Sequence, residues 1–284
     1  MTAICLNGKS LQQQCLAQLQ SRVAALQSQS ITPAFGLLQV GDDPASTLYT
    51  RLKREAAARL GIQVDYQHHH TDLPRILAQL QQWNSDPLLH GIMVQLPLPS
   101  SLPTHTVLER IAPEKDIDGC TSQQLGWLST RDPRAMLSAT PAGVLQLLQH
   151  YEIPLQGQHV CIISDSRLIG RPLSLALLNA GATITICHAA TVALSSHTRM
   201  ADIVCTAVGK PGLLTAAMLR PGAVVVDIGI SPTAAGTVVG DSVQDEAFLA
   251  TCSTYTPVPG GVGPMTIASL LQNVIHAAEE SQIS

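Results

Sequence analysis

The sequence predicts an α/β protein made of two α/β lobes with a cleft between them. Three observations lead there. Strand-like and helix-like segments alternate through both halves of the 284-residue chain. In the second half the strands are short, apolar and unalternating, which suits a parallel sheet covered on both faces. Between the two series the chain passes Pro97, Pro99 and Pro103, where regular structure is forbidden, and then residues 121–156, which read as a joint.

Taken in order, Ser10 is expected to cap a first helix whose apolar positions Leu11, Cys15, Leu19, Val23 and Leu26 recur at helical spacing. A strand follows at 34–40. Asp43-Pro44 opens a second helix, with Asp as N-cap and Pro in the first turn, and it stops at Gly61. Its core stripe is expected at Leu48, Leu52, Ala56 and Leu60. Then come a strand at 62–66, a helix near 74–83 and a strand at 91–95. His68-His69-His70 is read as a solvated loop after a strand. Three consecutive residues do not converge on one ion, so no metal site is expected. The second series has strands at 160–163, 183–187, 203–207 and 223–227, and a last helix at 265–280 free to return to either lobe.

Composition narrows the class. Hydrophobic residues make up 45% and charged residues 13%, a balance that favours a well-buried globular protein. A net charge of −4 supplies no electrostatic reason to expect nucleic acid or an anionic membrane as partner. The longest apolar runs have strand length, too short to span a bilayer. The first residues show neither a secretory signal nor a transit peptide, so a cytoplasmic location is expected. The seven cysteines form no CxxC pair and are odd in number, which argues for reduced thiols.

Candidate chemistry sits in two places. Tyr49 and Lys53 lie four apart, on one helical face, in a chain with four lysines against twelve arginines. Gln95 ends an apolar strand before a proline-bracketed turn, where a parallel sheet meets its ligand. Asp116 and Asp118 share a loop closed by Gly119, where turn formation alone would explain them. The second place is the turn from Val160 to Ser174, a buried strand followed by a polar loop and a helix start. Such turns hold nucleotide phosphates on backbone N–H groups, yet this one carries Asp165, an anion.

The phrases VGDDPASTLYTRLKREAAARLGI, GIMVQLPLP, PEKDIDG, TPAG, IGRPLS, AVGKPG, PGAVVVDIGI and TPVPGGVGPMT occur in order from about residue 4 to residue 275. Together they closely resemble the bifunctional methylenetetrahydrofolate dehydrogenase/methenyltetrahydrofolate cyclohydrolase family. The resemblance implies a folate-binding catalytic lobe at 1–138, completed by the C-terminal helix at 264–284, and a Rossmann-like NAD(P)-binding lobe at 139–263. It implies oxidation of 5,10-methylenetetrahydrofolate with NADP or NAD, then hydrolysis of the methenyl product to 10-formyltetrahydrofolate, in a homodimer. Tyr49 would stack on the aminobenzoyl ring. Asp118 would accept from the pterin's ring N–H and amino group. Lys53 would act at the one-carbon unit and Gln95 would orient its amine. Val94, Leu96, Pro259, Gly260 and Gly261 would also meet folate. Ser164, Asp165, Ser166, Ile169, Ala189, Val208, Gly209 and Ile230 would meet the cofactor.

The pattern breaks on the nucleotide side. Where the family usually has Gly-Arg-Ser, with an arginine on the cofactor's extra phosphate, this chain has Ser164-Asp165-Ser166. Where a serine and a basic residue usually follow Cys-His, it has Ala189-Ala190. Pro-Cys-Thr-Pro is replaced by Ser138-Ala139-Thr140-Pro141, the aromatic after DIDG by Cys120, and Asn-Arg after DIGI by Ser231-Pro232. The side chains of this turn no longer favour the phosphorylated cofactor. Three readings stay open at this level: NADP use through Arg167 or Arg171 or with weakened affinity, preferential NAD use, and a cyclohydrolase whose dehydrogenase half has decayed. A non-catalytic folate-binding relative is a fourth, disfavoured by the retained Lys53 and Gln95.

Overall fold

The computed structural model describes residues 3–233 and 236–282. In chain order the strands are β1 (Ile4–Cys5), β2 (Ala34–Val40), β3 (Gln63–His69), β4 (Gly91–Val94), β5 (His159–Ile163), β6 (Thr183–Cys187), β7 (Ile203–Thr206), β8 (Val224–Asp227), β9 (Ser231–Pro232), β10 (Val238–Val239) and β11 (Thr254–Tyr255). The α-helices are α1 (Gly8–Ser28), α2 (Pro44–Leu60), α3 (Leu73–Ser85), α4 (Thr104–Leu108), α5 (Ser122–Thr130), α6 (Ala139–His150), α7 (Gly170–Asn179), α8 (Leu194–Thr198), α9 (Glu246–Thr251) and α10 (Val262–Glu280).

The chain divides into two compact units. One joins the residues up to Gln13 to Thr140–Thr266, and the other joins Gln14–Ala139 to the residues from Ile267 on. The first residues therefore differ from the sequence expectation. β1 pairs in parallel with β11, so the chain begins in the sheet of the second series. Two residues are too few to show a period, which is why β1 was invisible. Residues 121–156, read as a joint, hold α5 and α6.

In the unit of Gln14–Ala139, a parallel three-stranded sheet runs in the order β3-β2-β4. All seven residues of β2 are buried, as a central strand covered on both faces requires. Leu19, Val23 and Leu26 of α1 share one core with Phe35, Leu37, Ile117 and with Leu270, Leu271, Val274 and Ile275 of α10. Asp43 caps α2 by accepting from Ser46 N at 2.7 Å, and Gly61 closes it in the left-handed region at φ 77°. Ser10 does not cap α1. Its N–H donates to Asn7 Oδ1 at 3.1 Å, so the cap lies three residues earlier. Nor do the three histidines form a solvated loop. His68 and His69 continue β3, and His69 is buried.

In the other unit, six parallel strands stand in the order β1-β11-β8-β7-β5-β6. Its core packs Cys161, Ile163, Val204, Val225 and Phe248. The chain leaves β5 for β6 on one side and returns to β7 on the other. That reversal of strand order is a topological switch point, and ligands of such sheets bind beyond its carboxyl ends.

Trp83 closes the three-stranded sheet tightly. A Cβ added at Gly36, in β2, would lie 2.5 Å from its indole. Gly36→Ala should lower the unfolding free energy by about 1–3 kcal/mol in urea titrations, through overpacking. An unchanged midpoint would show that the ring shifts freely.

Candidate active site

The face of α2 turned inward is polar. Ser46, Thr50, Lys53, Ala57 and Leu60 are buried, whereas Leu48 is exposed and Leu52 and Ala56 are half-buried. Of the expected stripe, Leu60 lies in the core and Ala56 packs against it, whereas Leu48 is corrected to an exposed position and Leu52 to a half-buried one. A hydrogen-bond network sets this rotation. Gln39, 1% exposed in β2, accepts from Thr50 Oγ1 at 2.8 Å and from Tyr66 OH at 2.9 Å, and its Nε2 donates to Thr47 Oγ1 at 2.8 Å. A buried amide leaves few of its bonds unmade, so α2 is held to β2 in one orientation.

That orientation drives Lys53 under the sheet's carboxyl end. Lys53 is 6% exposed. Its Nζ donates to Gln95 Oε1 at 2.8 Å and rests 3.6 Å from Met93 Sδ. Met93 and Gln95 are two apart on one strand line, hence on one face. Met93 was not anticipated, although its spacing from Gln95 carried the signal. Val94 lies between them and is buried, so its side chain takes the opposite face of the sheet. Gln95 Nε2 donates to Leu96 O at 2.8 Å, which fixes the amide's direction. Leu96 is half-buried, as is Tyr49, one turn before Lys53.

Burial lowers the Lys53 pKa from its usual range to about 8, with the Asp118 carboxylate pulling the other way. Burial raises Asp118 to about 6, against the pull of Lys53 and the N–H of Ala139 and with a push from Asp116. At pH 7 about one Lys53 in ten is then neutral. Asp116 plays a different part, accepting from Thr121 N at 2.7 Å and so forming the turn. The Asp118 loop is held from behind by Asn273 of α10, whose Nδ2 donates to Ile117 O and to Leu137 O, both at 2.9 Å. No motif pointed to Asn273.

Pro259, Gly260 and Gly261 belong to the other unit. There Gly260 O accepts from Gly8 N at 2.9 Å and Lys9 N at 3.2 Å, satisfying the start of α1. The switch-point crevice of that unit collects the remaining residues. Ser164, Asp165 and Ser166 follow β5, Ala189 follows β6, Val208 and Gly209 follow β7, and Ile230 follows β8. Ser166 Oγ accepts from Ile169 N at 3.3 Å and Gly170 N at 3.2 Å at the start of α7. A Cβ at Gly170 would collide with the carbonyl of Ser164, so the turn is as tight as a phosphate loop needs. Asp165 is exposed, and Arg171 Nε donates to its backbone O at 2.9 Å. The turn, the switch point and the glycines fit a dinucleotide.

Comparison with known proteins gives the same answer along the chain. Residues 6–118 match the tetrahydrofolate dehydrogenase/cyclohydrolase catalytic domain, and residues 138–282 match the NAD(P)-binding domain of that family. The bifunctional protein FolD of Paraburkholderia xenovorans is 45% identical over 282 residues, 98% of each chain. The crystal structure of the bifunctional FolD methylenetetrahydrofolate dehydrogenase/cyclohydrolase of Campylobacter jejuni is 40% identical, with a TM-score of 0.95 over 98% of this chain and 99% of that one. A Trypanosoma brucei methylenetetrahydrofolate dehydrogenase-cyclohydrolase complexed with NADP cofactor and an inhibitor is 29% identical, with a TM-score of 0.95 and full coverage of both chains.

The Lys53 environment is directly testable. Lysine-selective NMR should show the Lys53 amine titrating near pH 8, a signal that Lys53→Met removes. Asp118→Asn removes the opposing anion and should lower that value further. A Lys53 amine titrating in the ordinary lysine range would contradict the burial described.

Proposed function

The chain belongs to the tetrahydrofolate dehydrogenase/cyclohydrolase family, and on that premise we propose which of its residues carry the two reactions. It is an enzyme of folate one-carbon metabolism. It oxidises 5,10-methylenetetrahydrofolate to the methenyl form and hydrolyses that to 10-formyltetrahydrofolate. The observation that carries the assignment of roles is a lysine 6% exposed whose Nζ is held 2.8 Å from a neutral amide oxygen.

Hydrolysis needs a base beside a cation. Water adds to the methenyl carbon as one of its protons passes to neutral Lys53 Nζ; the bond from that carbon to N5 then breaks as N5 takes a proton and the added hydroxyl loses its own to become the formyl oxygen. The formyl group stays on N10. Gln95 keeps the amine aimed, and as a neutral acceptor it does not hold the proton there as a carboxylate would. Asp118, ionised above about pH 6, accepts from the pterin's two donors. Tyr49 stacks on the aminobenzoyl ring. Leu96 and the backbone of Val94 border the substrate, and Pro259, Gly260 and Gly261 let backbone approach it.

NAD(P), when bound, would supply the acceptor for the hydride of the methylene carbon. The chain's part in that step is to place beside the developing cation a lysine that gives up its proton more readily than an exposed one, its pKa lowered by burial to about 8. Ser164, Ser166 and Ile169 hold the pyrophosphate end, with Ala189, Val208, Gly209 and Ile230 around the rest of the cofactor. We assign to Asp165 a weakening of NADP relative to NAD. Its exposed carboxylate repels an added ribose phosphate and is able to accept from a ribose hydroxyl. The division of labour follows the two units, with folate chemistry on the Lys53 unit and the cofactor on the six-stranded sheet. We place the enzyme in the cytoplasm as a homodimer, with its product available to purine biosynthesis. The seven cysteines, odd in number and without a CxxC pair, support a reducing compartment. Among the described residues no helix is long and apolar enough to cross a membrane.

Lys53→Met should abolish methenyltetrahydrofolate hydrolysis while the protein still binds folate by equilibrium dialysis. Retained hydrolysis would refute the base role. Asp165→Arg with Ala189→Ser should tighten NADP about tenfold or more in calorimetric titration and leave NAD little changed. Unaltered NADP affinity would remove Asp165 from the recognition of the phosphate.

A further inference from the structure

Two carboxylates lie buried at the carboxyl edge of the six-stranded sheet, and the roles assigned above use neither. Asp227, at the end of β8, is 1% exposed, and Asp241 is 0% exposed. Each occupies space that a glycine leaves open. A Cβ at Gly229 would collide with the Asp241 carboxylate, and one at Gly240 would collide with that of Asp227. Asp227 accepts from Gly229 N and Asp241 N at 3.0 Å, Ser242 N at 2.7 Å and Ser242 Oγ at 2.5 Å. It therefore fixes the segment that bears Asp241.

Asp241 passes this order on to the loop after β7. Its Oδ2 accepts from Thr206 Oγ1 at 2.8 Å and Val208 N at 2.9 Å, and its Oδ1 accepts from Lys210 N at 2.7 Å. Its backbone O accepts from Leu214 N at 3.1 Å. Residues 207–213 carry no helix or strand, so these bonds define their course. Gly209 sits between the two captured N–H groups at φ 66°. The N–H groups of Val208 and Lys210 are turned inward, and the Val208 side chain is left 44% exposed at the switch-point crevice.

We infer that Asp241 is a positioning residue for the dinucleotide: it folds residues 206–210 into the shape that receives the cofactor, and Asp227 holds it in place. This rests on the cofactor reading given above. A purely structural role is the alternative. Against it stands the placement of the donors: all three groups bonded to the carboxylate come from the end of β7 and its crevice loop, the part of that strand nearest the ligand.

The amide of Asp241→Asn has one acceptor oxygen for three donors on two sides. Whichever way it turns, its NH2 faces an N–H or the threonine hydroxyl, and the loop must shift. Calorimetry on the full chain with NADP and with NAD should show a Kd about tenfold weaker for both in Asp241→Asn. Cofactor KM should rise in parallel, with kcat at saturation within about threefold of wild type. Thr206→Val, which removes one donor at nearly constant volume, should weaken both cofactors by a smaller factor. Thr206→Ser, which keeps the hydroxyl, should bind as wild type does. Should Asp241→Asn fail to fold, the Thr206 pair decides alone. Wild-type Kd in folded Asp241→Asn, whatever its melting temperature, or equal Kd in Thr206→Val and Thr206→Ser, overturns the inference. A wild-type chain that binds neither dinucleotide overturns the cofactor reading along with it.

Discussion

An ammonium taken out of water is costly, and the unit of Gln14–Ala139 is arranged around one. Lys53 has a neutral oxygen, a thioether and the more distant charge of Asp118 as its surroundings. A directly bonded carboxylate would have kept it protonated, and an apolar pocket alone would have driven its pKa lower still. Gln95 occupies the middle ground: it satisfies one N–H without stabilising the charge as an anion would. The supports follow from this need. Gln39 fixes the rotation of α2, the Asp43 cap fixes its start, and Asn273 braces the loop that presents Asp118. Fixing the amine to one direction is what allows a general base to meet water at a single carbon.

The other unit treats carboxylates in opposite ways at one sheet edge. Asp227 and Asp241 are wholly buried, and each is satisfied by several N–H and O–H donors. Buried carboxyl groups of this kind persist only where their polar atoms are nearly all bonded, so they impose shape on whatever bonds to them. Asp165 is exposed, and in the function proposed it acts on a ligand through its charge. Shape and charge selection are thereby separated: one carboxylate moulds the loop after β7 and another colours the loop after β5.

Most strands could be read because central parallel strands are covered on both faces and so largely apolar, as in β2, where Gln39 is the polar exception, and β8, where three valines precede Asp227. The α2 cap and its glycine stop were also plain. What misled was the inward face of α2. An amphipathic rule assigns leucines to the core, but here a threonine and a lysine face inward, bonded to Gln39 and Gln95, and Leu48 is left outside. Local rules give way at functional positions. Lys53, Gln95 and Asp118 were recognisable through family phrases, and the geometry groups the first two by a direct bond and the third by its charge. Met93 and Asn273 escaped because no phrase marks them. The Asp227–Asp241 pair escaped because its members stand fourteen residues apart and each resembles a turn aspartate. The glycines at 229 and 240 were the trace it left.

The pH dependence of 5,10-methenyltetrahydrofolate hydrolysis, corrected for the uncatalysed reaction, bears most directly on the central role of Lys53. A base must be neutral to act, so the rate should climb with pH through about 8, the value set by burial, and level off above it. The same inflection should move to lower pH in Asp118→Asn, because the anion that favours the ammonium is gone. A rate that is flat across this range, or that falls as pH rises through 8, would contradict a neutral Lys53 as the base.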